Sequence, residues 1–507
     1  MSKSRAKAQS LAADAPSGGG PEIVRSATAL LEPAPESGVA IHDLKPYPAY
    51  KDSGVPWLGA VPVGWEVRRG KTLFSESCLP VQEAAEIVTC FRDGQVTLRR
   101  NRRASGFMIA LKEAGYQGVR KGQLVIHAMD AFAGAVGVSD SEGKCTPEYI
   151  VCNPRRPDVT PGYFAYALRV AAQVKFIEVE CQAVRERAPR LRWPDFGELK
   201  LSAPPLVEQA AIVRYLDHAD RHIRRYISAK KKLIALLNEQ KQAIIHRAVT
   251  RGLDPDVRLK PSGVEWLGEV PAHWEVKRCR YLFREVDCRS PDGSEQHLSM
   301  SQRLGLVPSH LVENRTLVSE SYAGGKLCEV GDLVLNRLKA HLGVFATAEH
   351  DGVISPDYTV FRPIEPVGSV FFERILRSPA CRRELRIRAK GIVEGFWRLY
   401  TDDFYDIRLP VPPLEERLAI GKHIDLALRE IDGAGGRTER EIILLHEYRT
   451  RLIADVVTGK LDVREAAARL PEEAEEPEPL NEVEAGDGED EDGEGAGGDE
   501  AGEEEVA

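Results

Sequence analysis

Ser53-Gly-Val-Pro-Trp57-Leu-Gly-Ala-Val-Pro-Val-Gly-Trp65-Glu-Val67 returns 209 residues later as Ser262-Gly-Val-Glu-Trp266-Leu-Gly-Glu-Val-Pro-Ala-His-Trp274-Glu-Val276. Between Ser53 and Phe74, 14 of 22 positions match the second copy. The offset persists down the chain: Gly122 and Leu124 pair with Gly331 and Leu333, and Pro147 and Tyr149 with Pro356 and Tyr358. It then slips to 208, pairing Arg190-Leu191 with Arg398-Leu399 and Pro204-Pro205-Leu206 with Pro412-Pro413-Leu414. One register slip in so long a match means a tandem duplication, and a repeat of this size decides the architecture before any local motif does.

Each half has two parts. The first mixes strand-like runs (Gln123 to Met129, Glu148 to Cys152, Asp332 to Asn336, Tyr358 to Arg362) with short amphipathic helices and frequent Gly and Pro. That pattern reads as a compact α+β domain. The second part opens on Pro-Pro-Leu and an acidic residue, a combination suited to a helix start. From there Ile212, Leu216, Ala219, Ile223, Tyr226, Leu233, Leu237 and Ile244 recur at coiled-coil spacing, interrupted by Lys230 and Gln240. The second long helix carries Ile420, Ile424, Ile431, Leu445 and Leu452, but Gly433, Gly435 and Gly436 near its middle predict a kink or break.

The expected organisation is an N-terminal disordered extension (1–40), a globular domain (41–203), a spacer helix (204–255), a second globular domain (256–411), a second spacer helix (412–465) and an acidic disordered tail (466–507). The fold class is α+β, with two homologous domains each followed by a long helix.

The net charge of −9 conceals an asymmetry. Glu472 to Glu505 holds 18 acidic and no basic residues, so the remainder carries 69 basic against 60 acidic side chains. A basic body suits a nucleic-acid partner, and the tail either competes for that basic face or for partners, or solubilises the chain, the last being the favoured reading. The nine cysteines contain no C-x-x-C pair and read as free thiols of a reducing compartment. No apolar run is long enough for a membrane helix and the N-terminus lacks a signal-peptide core, so a cytoplasmic location is expected.

Catalytic look-alikes do not survive inspection. Gly64 to Thr72 resembles a phosphate loop, but five residues separate its glycines and the second copy reads Cys279-Arg280-Tyr281 at the end. Asp195…Glu198-Leu-Lys200 resembles a nuclease metal site with its acids too close together. Thr146-Pro-Glu-Tyr149, Asn153-Pro-Arg-Arg156 and Ser355-Pro-Asp-Tyr358 lack the second proline of an adenine-methyltransferase motif. His218 and His222 have no third ligand. The repeated tryptophans fit packing better than base stacking. No catalytic residue, metal site or cofactor site of the chain's own is expected.

On these residues the chain resembles the specificity subunit of type I restriction–modification enzymes. The carrying stretches are Pro204-Pro-Leu-Val-Glu208-Gln-Ala-Ala-Ile212 and Pro412-Pro-Leu-Glu-Glu416-Arg-Leu-Ala-Ile420 with their helices, plus the Trp-Leu-Gly…Trp-Glu-Val openings. The match spans about 41–465; the acidic tail and the glycines of the second helix depart from the family pattern. The resemblance implies two target-recognition domains, each reading one half of a bipartite, asymmetric DNA site. The two helices would pack as an antiparallel coiled coil that spaces the halves. It also implies double-stranded DNA, two methyltransferase subunits and restriction (translocase) subunits as partners. S-adenosylmethionine, and ATP with Mg, would then belong to those partners, and the modification would be adenine methylation.

Candidate DNA contacts are Arg99, Arg100, Arg102, Arg103, Arg185, Arg187, Arg190 and Arg192 in the first half, and Arg337, Lys339, Arg388, Lys390 and Arg398 in the second. Arginine can pair bidentately with guanine or phosphate, while the plain alternative for each is a solvated surface charge. An adaptor that binds only proteins, and an enzyme with a hidden centre, remain as competing readings.

Overall fold

A computed structural model describes residues 44–82, 84–102, 115–180, 190–301, 304–312, 322–365, 368–391 and 397–471. The expected N-terminal extension, Arg103, Arg185, Arg187 and the acidic stretch from Glu472 lie outside these residues. The chain forms two compact units, one of Met1–Tyr226 with Leu444–Ala507 and the other of Ile227–Ile443.

In the first unit the elements that matter are β1 (Glu66–Arg69), β2 (Phe74–Glu76), β3 (Leu124–His127), β4 (Val136–Val138), β5 (Tyr149–Pro154), α1 (Pro161–Gln173), β6 (Lys200–Ala203) and the start of α2 (Leu206–Arg251). Strands β2-β5-β3-β4 make an antiparallel sheet in that order, with Leu124 opposite Cys152 and Ile126 opposite Ile150. Side chains alternate across a strand, so Leu124 and Ile126 enter the main core while Val125 enters a smaller cluster with Val88, Val96 and Val151. This explains the unbroken Leu-Val-Ile run: both faces of the sheet are covered.

The second unit repeats the plan with β7 (Glu275–Arg278), β8 (Phe283–Val286), β9 (Leu333–Asn336), β10 (Phe345–Thr347), β11 (Tyr358–Pro363), α3 (Ser369–Leu376), α4 (Pro379–Arg388), β12 (Arg408–Val411) and the start of α5 (Leu414–Val457). Its sheet runs β8-β11-β9-β10, and Leu333 faces Phe361 in the register of Leu124 and Cys152. Leu333 and Leu335 enter one cluster and Val334 the other.

Trp65 and Trp274, the second tryptophan of each copy, tie the opening strand pair to a helix start. β6 pairs with β1 so that Ala203 lies opposite Glu66, and the chain then enters α2 through two prolines. That register brings Trp65 over the first turn, where its indole Nε1 donates to Glu208 Oε1 at 2.9 Å. Tyr47 donates to the same oxygen. In the second unit β12 pairs with β7 and Trp274 Nε1 donates to Glu416 Oε2 at 3.0 Å, an oxygen shared with His273. Both indoles are buried, at 1% and 0% exposure.

The same rings receive the far end of a long helix. Gly459, with φ +78°, leaves α5 so close to Trp65 and Pro62 that a Cβ would sit 2.4 Å from Pro62 Cδ. Gly252, with φ +75°, leaves α2 against Trp274 and Pro271 in the second unit. Glycine is required at both stops because the backbone is left-handed there; a Cβ would also clash with Pro62 at Gly459 and press on Glu416 and Trp274 at Gly252.

The two helices pack antiparallel. In the first unit Asp220 pairs with Arg449; in the second Lys230 pairs with Glu441 at 2.5 Å and Lys241 with Asp432. Lys230 therefore closes the helix pair rather than interrupting it. The seam runs through Ile223 and Ile227, both 6% exposed, while Tyr226 points outward at 46%.

The break expected at Gly433, Gly435 and Gly436 does not occur, since α5 is one helix of 44 residues. Buried Ile431 and Thr438 flank the glycines, and the ion pairs of Asp432 and Glu441 clamp both sides. Tertiary packing thus offsets a propensity cost of about 1 kcal/mol per glycine. The expected tail boundary at 466 also moves: Arg464–Arg469 is helical, and Ala466, Ala467 and Leu470 are packed in the core of the first unit.

Two outcomes follow. Glu208→Ala leaves the Trp65 and Tyr47 donors unpaired and should cost about 2–4 kcal/mol, with Glu208→Gln costing less because an acceptor remains; calorimetry of the full chain measures both. Gly435→Ala and Gly436→Ala, where a Cβ meets nothing within 4 Å, should each raise stability by about 1 kcal/mol in the same experiment.

Candidate nucleic-acid interface

In both units the turn after the central strand, β3 or β9, meets a segment returning from later in the chain. Leu191 N–H donates to Ala128 O at 3.0 Å, and Leu399 N–H to Arg337 O at 3.1 Å. Ala128 and Arg337 are equivalent, as are Leu191 and Leu399, so the duplication builds the same junction twice. The frame is common, but the residues on it are not: His127-Ala-Met-Asp130 stands where the second unit has Asn336-Arg-Leu-Lys339.

The second unit concentrates cations there. Arg337 donates from Nε to Asp357 O at 2.8 Å, and Lys339 is exposed beside it. Lys390 and Arg398 exchange backbone hydrogen bonds of 2.9 and 2.8 Å, and the Lys390 ammonium pairs with Asp403 at 2.8 Å. Arg388 is held by Glu384 one turn earlier on α4, at 2.8 Å. Four further residues join this face without having been singled out in the sequence. The Arg386 guanidinium lies on the Trp397 ring, and His341 meets the same ring edge-on at 5.6 Å. Arg382 packs against Gly343 in the turn beyond. Burial, reinforced by Arg386 and Arg382, holds the His341 imidazole below its ordinary pKa, which favours its neutral form. A signal existed in the run Arg382-Arg-Glu-Leu-Arg386-Ile-Arg388, but Trp397 has Pro189 as its counterpart and no repeat marks it.

The first unit arranges its charge differently. Arg190 pairs with Glu148 at 3.1 Å, and Arg192 is exposed two residues on. Met129 is 42% exposed within the turn, and Arg92 pairs with Asp130 at 3.0 Å. That pair joins the turn to the tip of the hairpin Val88–Cys90 and Val96–Leu98. Beyond the hairpin, Arg99 donates to Thr89 Oγ1 at 3.3 Å and Arg100 pairs with Glu86 at 2.7 Å. Arg102 is the least available: its side chain is 16% exposed, bonded to Asp93 at 2.8 Å and lying over Phe91 at 4.3 Å. His127 is held below its ordinary pKa by burial, while Asp130 and Glu148 oppose the shift.

The structure also accounts for the phosphate-loop look-alike. Gly70 N–H is committed to Leu199 O at 2.9 Å and Lys71 to Glu198, which removes any phosphate cradle. Among the described residues no group of His, Cys, Asp and Glu could hold a metal ion, and no helix is long and apolar enough to cross a membrane.

No family model matches the chain. It is similar to two proteins of Methanocaldococcus jannaschii. One is the "Putative type I restriction enzyme MjaX specificity subunit", 22% identical over 449 residues that cover 80% of this chain and 96% of the relative. The other is the type I restriction enzyme MjaVIII specificity subunit, 23% identical over 293 residues, covering 53% and 64% respectively. A chain solved in work on complex assembly and conformational transition of the type I R-M system superposes with a TM-score of 0.58, at 15% identity, over 79% of this chain and 99% of its own. That likeness shows a shared fold of mixed helix and sheet with paired long helices. The chain is thus similar in sequence to type I restriction enzyme specificity subunits over 80% of its length, and it shares its fold with a chain of the type I R-M system.

Proposed function

We propose that this chain reads a bipartite, asymmetric DNA sequence, each unit contacting one half, and holds two methyltransferase subunits together with restriction subunits. The carrying observation is the repeated junction: one backbone arrangement presents His127-Ala-Met-Asp130 in the first unit and Asn336-Arg-Leu-Lys339 in the second. A duplicated reader whose frame holds while its presented side chains differ is suited to two unlike half-sites, where a true homodimer needs a palindrome. Phosphate contacts fix register and base contacts give sequence, and the second unit offers groups for both. Exposed Lys339 and Arg398 suit phosphates; Arg386 stacked on Trp397 suits a base edge.

Arg190, Arg192, Arg99 and Arg100 serve the first unit, together with Arg103, Arg185 and Arg187. Arg337, Arg388 and Lys390 complete the second. Methyl transfer to adenine, with its S-adenosylmethionine, and ATP with Mg for restriction belong to the partner subunits in this reading. The complex acts in the cytoplasm, where the DNA is.

The deciding experiment is a modification-sensitive methylome of the host with and without this gene. A bipartite methylated motif that disappears on deletion supports the reading. An unchanged methylome beside an active partner methyltransferase rejects it and leaves the adaptor alternative. Within the assembled complex, Lys339→Ala and Arg398→Ala should weaken all DNA about equally and each lower the salt-dependence slope by about one. Arg386→Ala should instead cost about 1–3 kcal/mol on cognate DNA and relax one position of a single half-site; equilibrium binding across a salt series separates the two behaviours.

A further inference from the structure

Asp93 occupies the tip of the hairpin that precedes the arginine segment of the first unit. Its carboxylate is 14% exposed, and Oδ2 accepts from Arg102 Nη1 at 2.8 Å. The same oxygen lies 3.7 Å from Arg224 Nη1, on the first half of α2. Arg224 Nε reaches Asp220 Oδ2 at 2.8 Å, and the other oxygen of Asp220 takes Arg449 from the last turns of α5. An unbroken chain of ion pairs therefore runs from the arginine segment, through the hairpin tip, to both long helices of this unit.

The tip is also closely packed. Gly94 has φ +89° and lies so close to Arg169 of α1 that a Cβ would stand 2.5 Å from its Nη1. Burial, then the nearby Arg449, lowers the Arg169 guanidinium's pKa. Burial pushes the Asp220 carboxyl up, but Arg449 and Arg224 outweigh it and keep the pKa below its ordinary value. Partly buried ion pairs of this kind are strongly coupled, because removing one member strands the others in a low-dielectric site.

Among the described residues the second unit shows no such chain at the matching helix positions. Leu428 replaces Asp220 and packs against the core. Asp432 and Lys241 replace Arg224 and Arg449 and form a single pair on the helices. On the helices the network is thus a feature of the first half of the duplication among the described residues.

We propose that Asp93 is a positioning residue for DNA reading by the first unit. It fixes Arg102 so that Arg99 and Arg100 are aimed at DNA, and through Arg224 it registers that segment against the helix pair. Arg102 acts in this scheme as a strut, not a contact. The inference rests on the DNA-reading function proposed above.

The test uses the assembled methyltransferase complex carrying Asp93→Asn, Arg224→Met, both together, or Asp93→Glu. It reads the host methylome and binding to duplexes altered in either half-site. Asp93→Asn and Arg224→Met should each cut discrimination about tenfold in one half-site and leave the other unchanged. The salt slope should hold, because no phosphate contact is lost. The double variant should be no worse than the worse single, and Asp93→Glu should recover part of the loss. Equal loss in both half-sites, additive effects, or no change overturns the proposal. Should Asp93→Asn fail to assemble, Arg224→Met, 43% exposed on its helix, decides alone. If the wild-type complex methylates no bipartite motif, the DNA-reading function and this inference fall together. A wild-type motif that both single variants leave intact removes only the inference.

Discussion

The hydrogen bond from a buried indole to a glutamate in the first turn of a long helix organises each unit. Trp65 with Glu208, and Trp274 with Glu416, join the opening strand of a domain to the helix that leaves it. The buried Glu208 carboxylate must be fully hydrogen-bonded to be tolerated, and Tyr47 is its second donor; Glu416, with its side chain 27% exposed, shares its oxygen with His273. The ring's far edge then receives the glycine that ends the other helix. One aromatic side chain thereby fixes three things: the strand register, the start of one helix and the stop of its partner.

This constraint explains why the frame of the duplication survives while the rest diverges. The repeated residues lie at the indole, the Pro-Pro turn, the central sheet and the junction after β3 or β9. Between them, hairpins and turns carry no shared packing duty. They have drifted to an exposed methionine and acid–base pairs in one unit, and to a cation-rich face with a stacked tryptophan in the other. Loops on a rigid frame are where recognition can change without loss of fold. The two units also solve their helix contact differently, with a charge network that reaches a hairpin tip in the first, and separate ion pairs, Lys230 with Glu441 and Lys241 with Asp432, beside apolar Leu428 in the second.

Much of the fold was legible in the sequence because it depends on repetition and periodicity. The 209-residue offset, the a/d spacing from Ile212 and the β-type runs at Leu124 and Leu333 each reflect a short-range rule that one chain displays unaided. The site was less legible. An arginine in a sequence does not reveal whether a carboxylate waits for it, so Arg102 and Arg100 read alike, though one is clasped by Asp93 over Phe91 and the other lies open beside Glu86. Trp397, His341 and Arg382 come together only because distant segments meet at the Leu399–Arg337 bond.

The sequence by itself determined the duplication, the class of each half, the helix starts at Pro-Pro-Leu and the packing role of the tryptophans. Tertiary structure alone decided the continuity of α5 through Gly433, Gly435 and Gly436, the place of Lys230 in the helix seam, and the extension of the packed chain to Leu470. The physical reason is the same in each case. Local propensities are worth about 1 kcal/mol per residue, and burial and ion pairing against a partner helix outweigh them wherever a partner is present.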